Sequence, residues 1–382
     1  MEMQPRKLII MGIRGIPAAH GGFETFAEHL AFYLRDRGWH VTVYCQEGRA
    51  AQQYIDQWEG IERIHIPVRR SGALGTVEFD IKCVADVAGR DGVILTLGYN
   101  TGFLAPWLQL KGRRNFINMD GIEWKRDKYG LPARLYLWVN ERLAAWSGAF
   151  LIADHPQIEQ RLRMIAPHAD ITMIPYGGDA PDVGDKVRLV ELGLEPQRYF
   201  TLIARPEAEN MILEIVKAFS TSECEAKLVV LGAYDRVNLY HARVLAAARP
   251  NIVFPGAVYD KKTLNALRMH CIAYLHGHRV GGTNPSLVEA LAAGNAIIAH
   301  DNMFNRWVAG DAALYFSDIA GCQAAIIRVA RENALRGMMQ KNAISRWKTA
   351  FDWPMILGEY EELLSCAVVT TSHDQVRQPV AF

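Results

Sequence analysis

Short apolar runs alternate with amphipathic segments along the first half of the chain. The run KLIIM at 7–11 is followed by a segment, 24–38, whose apolar residues recur at helical spacing, and then by the run HVTVYCQ at 40–46. An apolar run, an amphipathic segment and a second apolar run at this spacing predict a βαβ unit with parallel strands. Further buried strands are predicted at 91–98, 114–120 and 148–154.

The same alternation restarts in the second half of the chain. Strands are predicted at 199–205, 226–232, 251–256, 271–277 and 296–301, with a helix at 212–220. The stretch IPYGGDAPDVGDK at 174–186 separates the two halves, and its content of Gly, Pro and Asp is typical of a linker. The pattern therefore predicts two doubly wound α/β domains of similar size, with the cleft between them as the expected ligand site.

Composition narrows the class of protein. The 382 residues carry a formal net charge of +1 and are 50% hydrophobic, which is typical of a globular protein and gives no reason to expect nucleic-acid binding. The six cysteines form no C-x-x-C pair, so neither a zinc ribbon nor a disulfide framework is expected. No run of about 18 apolar residues and no signal-peptide pattern is present, so we expect a cytoplasmic protein without a membrane span.

A glycine-rich loop leads into a predicted helix after the strand at 271–277. Its sequence is GGTNPSLVE at 281–289. Glycines let the backbone approach a ligand closely, and the free N–H groups and dipole of a helix start favour a phosphate. The carboxylate of Glu289 can accept two hydrogen bonds from a ribose diol, Ser286 can add a hydroxyl, and Thr283 or Asn284 can cap the helix. An ordinary capped helix with a glutamate near its start explains the same residues equally well.

The loop after the first strand, GIRGIPAAHGGFE at 12–24, is also rich in glycine. It contains neither G-x-G-x-x-G nor the G-K-[ST] of a P-loop, which argues against a dinucleotide or P-loop site. Gly21 and Gly22, just before the predicted helix, are candidates for close approach to a donor diphosphate or sugar. The alternative is a plain turn between strand and helix.

Arg205 ends the first predicted strand of the second half. An arginine at the carboxyl end of a strand can clamp a diphosphate, whereas an ion pair with Glu207 or Glu209 is the structural alternative. His276 and His278 form an H-x-H pair beside the glycine-rich loop. Because no acid or cysteine is near in sequence, a hydrogen bond to phosphate or a plain strand end is favoured over a metal site.

Several longer stretches occur in an order that is informative as a set. They are GGFETFAEHLAFYLRDRGWHVTVYC, IADHPQIEQRL, IPYGGD, IARPEAENMILEIVKAF, GGTNPSLVEALAAGNAIIAHD and FDWPMILGEYEELL. Together they resemble the retaining GT-B glycosyltransferases of family 4 over nearly the whole chain. The combination of GIRGIPAAHGGFE with NMDGIEWKRDKYG is most similar to a bacterial rhamnosyltransferase-like subgroup that builds cell-surface polysaccharides.

This resemblance implies a GT-B fold, in which two doubly wound Rossmann-like domains face a central cleft. Residues 1–178 would form the acceptor-side domain and residues 179–352 the domain that binds the nucleotide-sugar donor. Residues 353–382 would cross back and pack on the first domain.

The resemblance also assigns roles to single residues. Glu289 matches the second glutamate of the E-x7-E motif of the family, which binds the ribose, and the first glutamate falls at Gly281. Arg205 matches the arginine that binds the diphosphate, and the lysine that usually accompanies it falls at Asn210. The histidine often found after the fifth strand falls near Asp120. The implied donor-binding residues are Gly21, Gly22, Arg205, Gly282, Thr283, Asn284, Pro285, Ser286 and Glu289.

The implied activity is transfer of a sugar, rhamnose or another hexose, from a nucleotide-diphosphate sugar to a saccharide acceptor in polysaccharide biosynthesis. We expect retention of anomeric configuration, a lipid-linked acceptor, and no cofactor or metal beyond the co-substrate, because an arginine and a helix dipole can stabilise a leaving diphosphate. The residues assigned to catalysis are Arg205, Asp120 and Glu123. Those assigned to the acceptor side are Glu24, Lys125 and Arg126.

Membrane contact and two other functions complete the set of hypotheses. Lys125, Arg126 and Lys128, with Arg113 and Arg114, predict a basic surface for peripheral contact with the inner face of the cytoplasmic membrane. Because the glutamate and the lysine of the family pattern are missing, a catalytically silent GT-B scaffold protein stays open as an alternative, which donor turnover would exclude. An NAD-dependent oxidoreductase is disfavoured because G-x-G-x-x-G is absent, and nicotinamide binding would test it.

Overall fold

The computed structural model describes residues 6–19, 21–48, 52–147, 149–180 and 186–374. The strands are β1 (Lys7–Met11), β2 (His40–Glu47), β3 (Tyr54–Trp58), β4 (Ile61–Pro67), β5 (Val93–Leu97), β6 (Asn115–Asn118), β7 (Phe150–Ala153), β8 (Ile171–Met173), β9 (Tyr199–Ile203), β10 (Lys227–Leu231), β11 (Ile252–Gly256), β12 (Tyr274–His276), β13 (Ile297–His300) and β14 (Ala313–Phe316). The α-helices are α1 (Gly22–Arg35), α2 (Gly72–Val87), α3 (Ala105–Leu110), α4 (Leu131–Trp146), α5 (Pro156–Ile165), α6 (Lys186–Glu191), α7 (Ile212–Thr221), α8 (Leu239–Ala247), α9 (Lys261–Met269), α10 (Pro285–Ala292), α11 (Met303–Ala309), α12 (Ile319–Arg331), α13 (Asn333–Ala350) and α14 (Trp353–Asp374).

The chain divides into two compact units. Unit 1 contains residues 1–124, 130–175 and 353–382, and unit 2 contains residues 125–129 and 176–352. The short segment 125–129 therefore packs with unit 2 although its neighbours on both sides belong to unit 1, which the sequence did not predict. In the predicted linker, Gly178 forms an isolated β-bridge with Asp352, and residues 181–185 lie outside the described residues.

Unit 1 is built on an eight-stranded sheet in the order β3-β4-β2-β1-β5-β6-β7-β8. Its strands are parallel except for β3, which pairs antiparallel with β4. In β1, Leu8 lies opposite Val41 on one side and Val93 on the other, and it is fully buried. Such central strands are covered on both faces, which explains their continuous apolar runs. The antiparallel β3 was not predicted because its sequence, YIDQW, is short and largely exposed.

Helix α14 brings the end of the chain back to unit 1. Tyr360 is buried there, its ring lies 4.6 Å from that of Phe26 in α1, and its hydroxyl accepts a hydrogen bond of 2.9 Å from Nδ2 of Asn118. Trp353, at the start of α14, stacks on His29 with ring centroids 4.8 Å apart. Unit 1 is thus completed by a helix distant in sequence.

Unit 2 is built on a six-stranded parallel sheet in the order β11-β10-β9-β12-β13-β14. Its core contains the apolar face of α7 and the inward residues of β9 and β10, including Phe219, Phe200 and Leu228. The expectation of two doubly wound α/β sheets is confirmed. The last strand, β14, was not predicted from its sequence.

The carboxyl ends of parallel strands carry the loops that can bind ligands. In unit 2 these loops follow β9, β12 and β13, and they contain most of the predicted donor-binding residues. In unit 1 the equivalent loops follow β1, β2, β4, β5 and β6.

Candidate functional site

Helix α10 begins at the carboxyl end of β12 with a regular cap. The Oδ1 atom of Asn284 accepts a hydrogen bond of 3.0 Å from the backbone N–H of Ser286, and Pro285 occupies the first helical position, where no N–H is needed. Asn284, rather than Thr283, is therefore the capping residue. Thr283 is buried beside it.

The side chain of Ser286 is bonded within the fold. Its hydroxyl lies 2.6 Å from the hydroxyl of Tyr274 in β12 and donates to the carbonyl of Ile203 at the end of β9. These bonds tie the start of α10 to two neighbouring strands. The helix start is consequently rigid, whereas Gly281 and Gly282 in the preceding loop are only partly buried.

Glu289 lies one turn further along α10 and pairs with Arg268 of α9. The Oε2 atom of Glu289 accepts a hydrogen bond from Nη2 of Arg268, whose side chain is only 5% exposed, against 39% for Glu289. A buried arginine thus fixes one oxygen of a carboxylate that remains open to solvent. The remaining oxygen and lone pairs can accept hydrogen bonds from a diol. The sequence did not predict Arg268, because a pairing between two helices has no periodic signal.

The loop after β9 contains Arg205, which is exposed. Within the part of the chain that the structure describes, its guanidinium pairs with neither Glu207 nor Glu209, so the predicted alternative of a local ion pair is not what forms. Asn210, at the position of the expected lysine, donates from Nδ2 to the carbonyl of Arg205 at 2.9 Å and so shapes the loop.

Glu209 instead pairs with Arg126 of segment 125–129. Its Oε1 atom accepts hydrogen bonds from Nε and Nη2 of Arg126 at 2.8 and 2.6 Å, and Glu209 is buried. Lys125 and Arg126 were predicted to lie on the acceptor-side domain. The structure groups them with unit 2, because their segment packs there rather than on the helices that flank it.

The two histidines at the end of β12 are stacked, with ring centroids 4.3 Å apart. Burial lowers the pKa of His276 well below its ordinary value, and burial together with the charges of Arg126 and Arg205 lowers the pKa of His278 to about 3. Both rings are therefore neutral near pH 7. Among the described residues, neither ring nitrogen of His276 has a hydrogen-bond partner, nor does the buried Nδ1 of His278.

Unpaired buried ring nitrogens cost free energy unless a bound molecule satisfies them. A neutral imidazole offers one donor and one acceptor, which suits a phosphate or sugar hydroxyl. In the described ranges, no three His, Cys, Asp or Glu side chains form a group that could hold a metal ion. Gly277 separates the two histidines, and a Cβ there would lie 2.1 Å from the carbonyl oxygen of Asn210, so the two loops touch at a glycine.

The other predicted residues lie in unit 1. Asp120 follows β6 with a φ of 51°, and its Oδ1 accepts a hydrogen bond of 2.7 Å from the N–H of Gly121, so it holds a tight turn. The N–H of Glu123 donates to the hydroxyl of Tyr99 at 2.8 Å. Glu24 is buried in the first turn of α1, two residues after Gly22.

The structure therefore divides the predicted residues into two groups. The first group, in unit 2, consists of Arg205, Gly282, Thr283, Asn284, Pro285, Ser286, Glu289, Lys125 and Arg126. The second group, in unit 1, consists of Gly21, Gly22, Glu24, Asp120 and Glu123. No helix of the described chain is long and apolar enough to cross a bilayer.

Many solved structures match the fold of this chain. Sucrose-phosphate synthase from Thermosynechococcus elongatus is 17% identical, with a TM-score of 0.78 over 96% of this chain and 100% of that one. The chain has the GT-B fold.

Two further GT-B structures were found with ligands. The UDP-forming α,α-trehalose-phosphate synthase from Burkholderia xenovorans, in complex with glucose-6-phosphate, is 12% identical with a TM-score of 0.72 over 94% of this chain and 100% of that one. The E. coli trehalose-6-phosphate structure bound with UDP-2-fluoro glucose is 11% identical with a TM-score of 0.71 over 94% and 98%. Identities this low concern the GT-B fold alone.

Sequence comparison adds one match. Residues 5–179 match the model of a domain of unknown function, DUF1972. No curated protein matches the chain.

Proposed function

We propose that this GT-B protein is a glycosyltransferase that uses a nucleotide-diphosphate sugar as donor. The observation that carries the proposal is the composition of the carboxyl edge of unit 2. There the exposed Arg205 follows β9, and the two neutral histidines and the start of α10, which carries Glu289 one turn further on, lie at or after the end of the adjacent strand β12. Phosphate, sugar and ribose are the chemical groups that these side chains bind well.

In this proposal the diphosphate binds Arg205 and the N–H groups of the glycine-rich loop at 281–284. Arginine matches a phosphate with two parallel hydrogen bonds, and the dipole of α10 adds a partial positive charge. Glu289, oriented by Arg268, binds the ribose diol. The neutral rings of His276 and His278 can donate to a phosphate or a sugar hydroxyl without the cost of burying a charge.

The chemical step follows from this assignment. The bond between the anomeric carbon and the phosphate oxygen breaks as an acceptor hydroxyl attacks the same face, and the leaving phosphate oxygen takes the proton of that hydroxyl. Negative charge grows on the diphosphate, and Arg205 with the helix start stabilises it. We propose retention of configuration and independence of divalent metal on this basis.

The acceptor is assigned to unit 1, where Glu24, Asp120 and Glu123 are the candidate side chains. By resemblance, the proposed sugar is rhamnose or another hexose, and the proposed acceptor is a lipid-linked saccharide in polysaccharide biosynthesis at the cytoplasmic membrane. The ligand-bound GT-B structures support a donor of the UDP-glucose type and a sugar-phosphate acceptor for those proteins.

The deciding test is a calorimetric titration with UDP, dTDP and GDP and then with their sugars, in EDTA. We expect one nucleotide to bind, and Arg205→Gln and Glu289→Gln each to weaken it at least tenfold, which is about 1.4 kcal/mol. Glu332→Gln, in an exposed pair with Arg328, is the matched control. A 2′,3′-dideoxy form of the nucleotide separates the roles, because Glu289→Gln has nothing further to lose without the diol.

Turnover then separates transferase from scaffold. The alternative of a catalytically silent scaffold rests on Gly281, which has no carboxylate, and on Asn210, whose side chain is bonded to the backbone of its own loop. Release of the nucleoside diphosphate from the bound sugar donor, with the anomeric configuration of the product read by NMR, would support the transferase and retention. Nucleotide binding without turnover on any saccharide acceptor would favour the scaffold, and no nucleotide binding would overturn the site.

A further inference from the structure

A cavity lies at the carboxyl edge of unit 1, and none of the residues assigned above lines it. Its volume is about 620 Å³, and it is bordered by the loop after β1 and by the ends of β2 and β4. The residues that give it its chemistry are Arg14, Gln46, Arg69, Arg70, Ser71 and Thr76. Ligands of doubly wound sheets bind at this edge.

Three arginines make the cavity strongly basic. Within the described part of the chain, the guanidinium groups of Arg14, Arg69 and Arg70 take part in no hydrogen bond or ion pair. The single acidic residue of the lining, Glu47, is already engaged by Nδ1 of His65 at 2.8 Å. Three guanidinium groups against one carboxylate leave a net positive charge of two on the lining.

The backbone of the two adjacent arginines is held in place. The carboxylate of Glu78 accepts hydrogen bonds from the N–H groups of Arg69 at 3.1 Å and of Arg70 at 3.2 Å, and from Nζ of Lys82 at 2.8 Å. Glu78 thus fixes the loop through its main chain and leaves both guanidinium groups exposed. An arrangement with fixed backbone and open side chains is suited to binding a ligand rather than to stabilising the fold.

The start of α2 supports the same conclusion. Ser71 is the N-cap of this 16-residue helix, but its side chain makes no capping hydrogen bond, and the first turn contains no acidic residue. The helix dipole and the N–H groups of the first turn therefore add to the positive potential of the arginines. The hydroxyl of Ser71 also lines the cavity and can donate to an oxyanion, whereas the hydroxyl of Thr76 donates to the carbonyl of Gly72.

We propose that this cavity binds the phosphate or diphosphate group of the acceptor substrate. Two guanidinium forks adjacent in sequence and a third on the loop after β1 match a multiply charged oxyanion better than a neutral saccharide. The identification of the ligand as the acceptor rests on the proposed transferase function, whereas the anion site itself does not. A sugar phosphate in solution and the diphosphate headgroup of a lipid-linked saccharide present the same chemistry.

The site is tested first by binding. Inorganic diphosphate is titrated calorimetrically into the full-length protein and into the double variant Arg69→Gln/Arg70→Gln, each with and without Arg205→Gln to remove the contribution of unit 2. We expect the double variant to weaken binding at unit 1 at least tenfold. The control, Lys111→Gln/Arg163→Gln, removes two exposed charges from unit 1 away from the cavity and should change it less than twofold.

A second set of variants keeps the test decisive. Arg69→Lys/Arg70→Lys preserves charge but loses the forked geometry, and it should bind with intermediate affinity. An equal loss in the control variant, or an unchanged affinity in Arg69→Gln/Arg70→Gln, would overturn the proposal whatever happens at Arg205. If the wild type binds diphosphate at unit 1 but binds no nucleotide, only the proposed function is overturned.

Two arms identify the source of the anion. One measures KM for a water-soluble glycosyl diphosphate against the matching neutral glycoside, and the other measures sedimentation with phosphatidylcholine vesicles with and without a polyprenyl-diphosphate saccharide. The double variant should raise KM for the phosphorylated acceptor or abolish the vesicle binding, with the affinity for the donor unchanged. If neither arm distinguishes the variant from wild type, the acceptor assignment is wrong.

Discussion

Replacing Arg126 by methionine should destabilise unit 2 by removing the charge that neutralises Glu209. The side chain of Glu209 is only 4% exposed, and both hydrogen bonds from Arg126 fall on its Oε1 atom. In the described part of the chain its Oε2 atom is buried without a partner. Methionine keeps the apolar stem of arginine, so the change isolates the charge and its hydrogen bonds.

The magnitude follows from burial. Removing one partner of a fully buried ion pair costs about 3–5 kcal/mol, because the other charge is left desolvated. The side chain of Arg126 is 25% exposed, so water can reach part of the vacated space. We therefore expect a loss of about 2–4 kcal/mol, which corresponds to a decrease in Tm of roughly 4–16 °C for a unit of this size.

Calorimetric unfolding of the full-length protein measures the effect on the transition of unit 2. The double variant Arg126→Met/Glu209→Gln should recover most of the loss, since no charge is then buried alone. Arg163→Met, which breaks an exposed pair with Glu159, is the matched control and should cost less than about 0.5 kcal/mol. If Arg126→Met costs no more than Arg163→Met, or if the double variant is worse than the single one, the account of Glu209 is refuted.

Three further outcomes are expected. Burial raises the pKa of Asp80 to about 6, so stability is lost as the pH rises through that value and the buried carboxyl ionises. Asp80→Asn should therefore raise the free energy of unfolding by about 1–3 kcal/mol at pH 7.5 and leave it unchanged near pH 4, as measured by urea titration at both pH values. Gly277→Ala should prevent stable folding of unit 2 because of its contact with the Asn210 carbonyl, whereas Gly337→Ala, in open space on α13, should stabilise slightly; soluble yield and Tm check both. Burial lowers the pKa of His276, so the folded state resists protonation of this ring and loses stability as the pH falls below about 6.5. His276→Phe should therefore make Tm decrease less steeply between pH 6.5 and 5, and an unchanged slope would contradict the burial effect.

The fold was largely predictable because its signal is local. Apolar runs at 7–11, 40–46 and 199–205 became β1, β2 and β9, since strands buried on both faces need continuous apolar sequence. Four strands were missed: β3 is polar and exposed, β4 interleaves charged residues with its isoleucines, β8 has three residues, and β14 has no distinguishing run. The alternation of strands and helices predicted the doubly wound sheets, and the resemblance to family 4 predicted the GT-B fold.

The candidate site was predictable where a motif follows a strand directly. Asn284 at the start of α10 and Arg205 after β9 lie at carboxyl ends of strands, as expected. The pairs that orient these loops, Arg268 with Glu289 and Arg126 with Glu209, join residues 21 and 83 positions apart. Such pairings depend on packing between elements, so the spacing of residues along the sequence does not predict them.

The division of the chain into two discontinuous units limits how this protein can be cut or recombined. The stretch 5–179 that matches a domain family includes segment 125–129, which belongs to unit 2, and omits α14, which covers Phe26 and Asn118 in unit 1. A fragment with those ends would contain Arg126 without its partner Glu209. It would also expose to water the aromatic side chain of Phe26, which α14 covers in the whole chain. A chimaera that exchanges halves between related proteins must therefore take α14 from the same parent as the first half. It must also take segment 125–129 from the same parent as the second half.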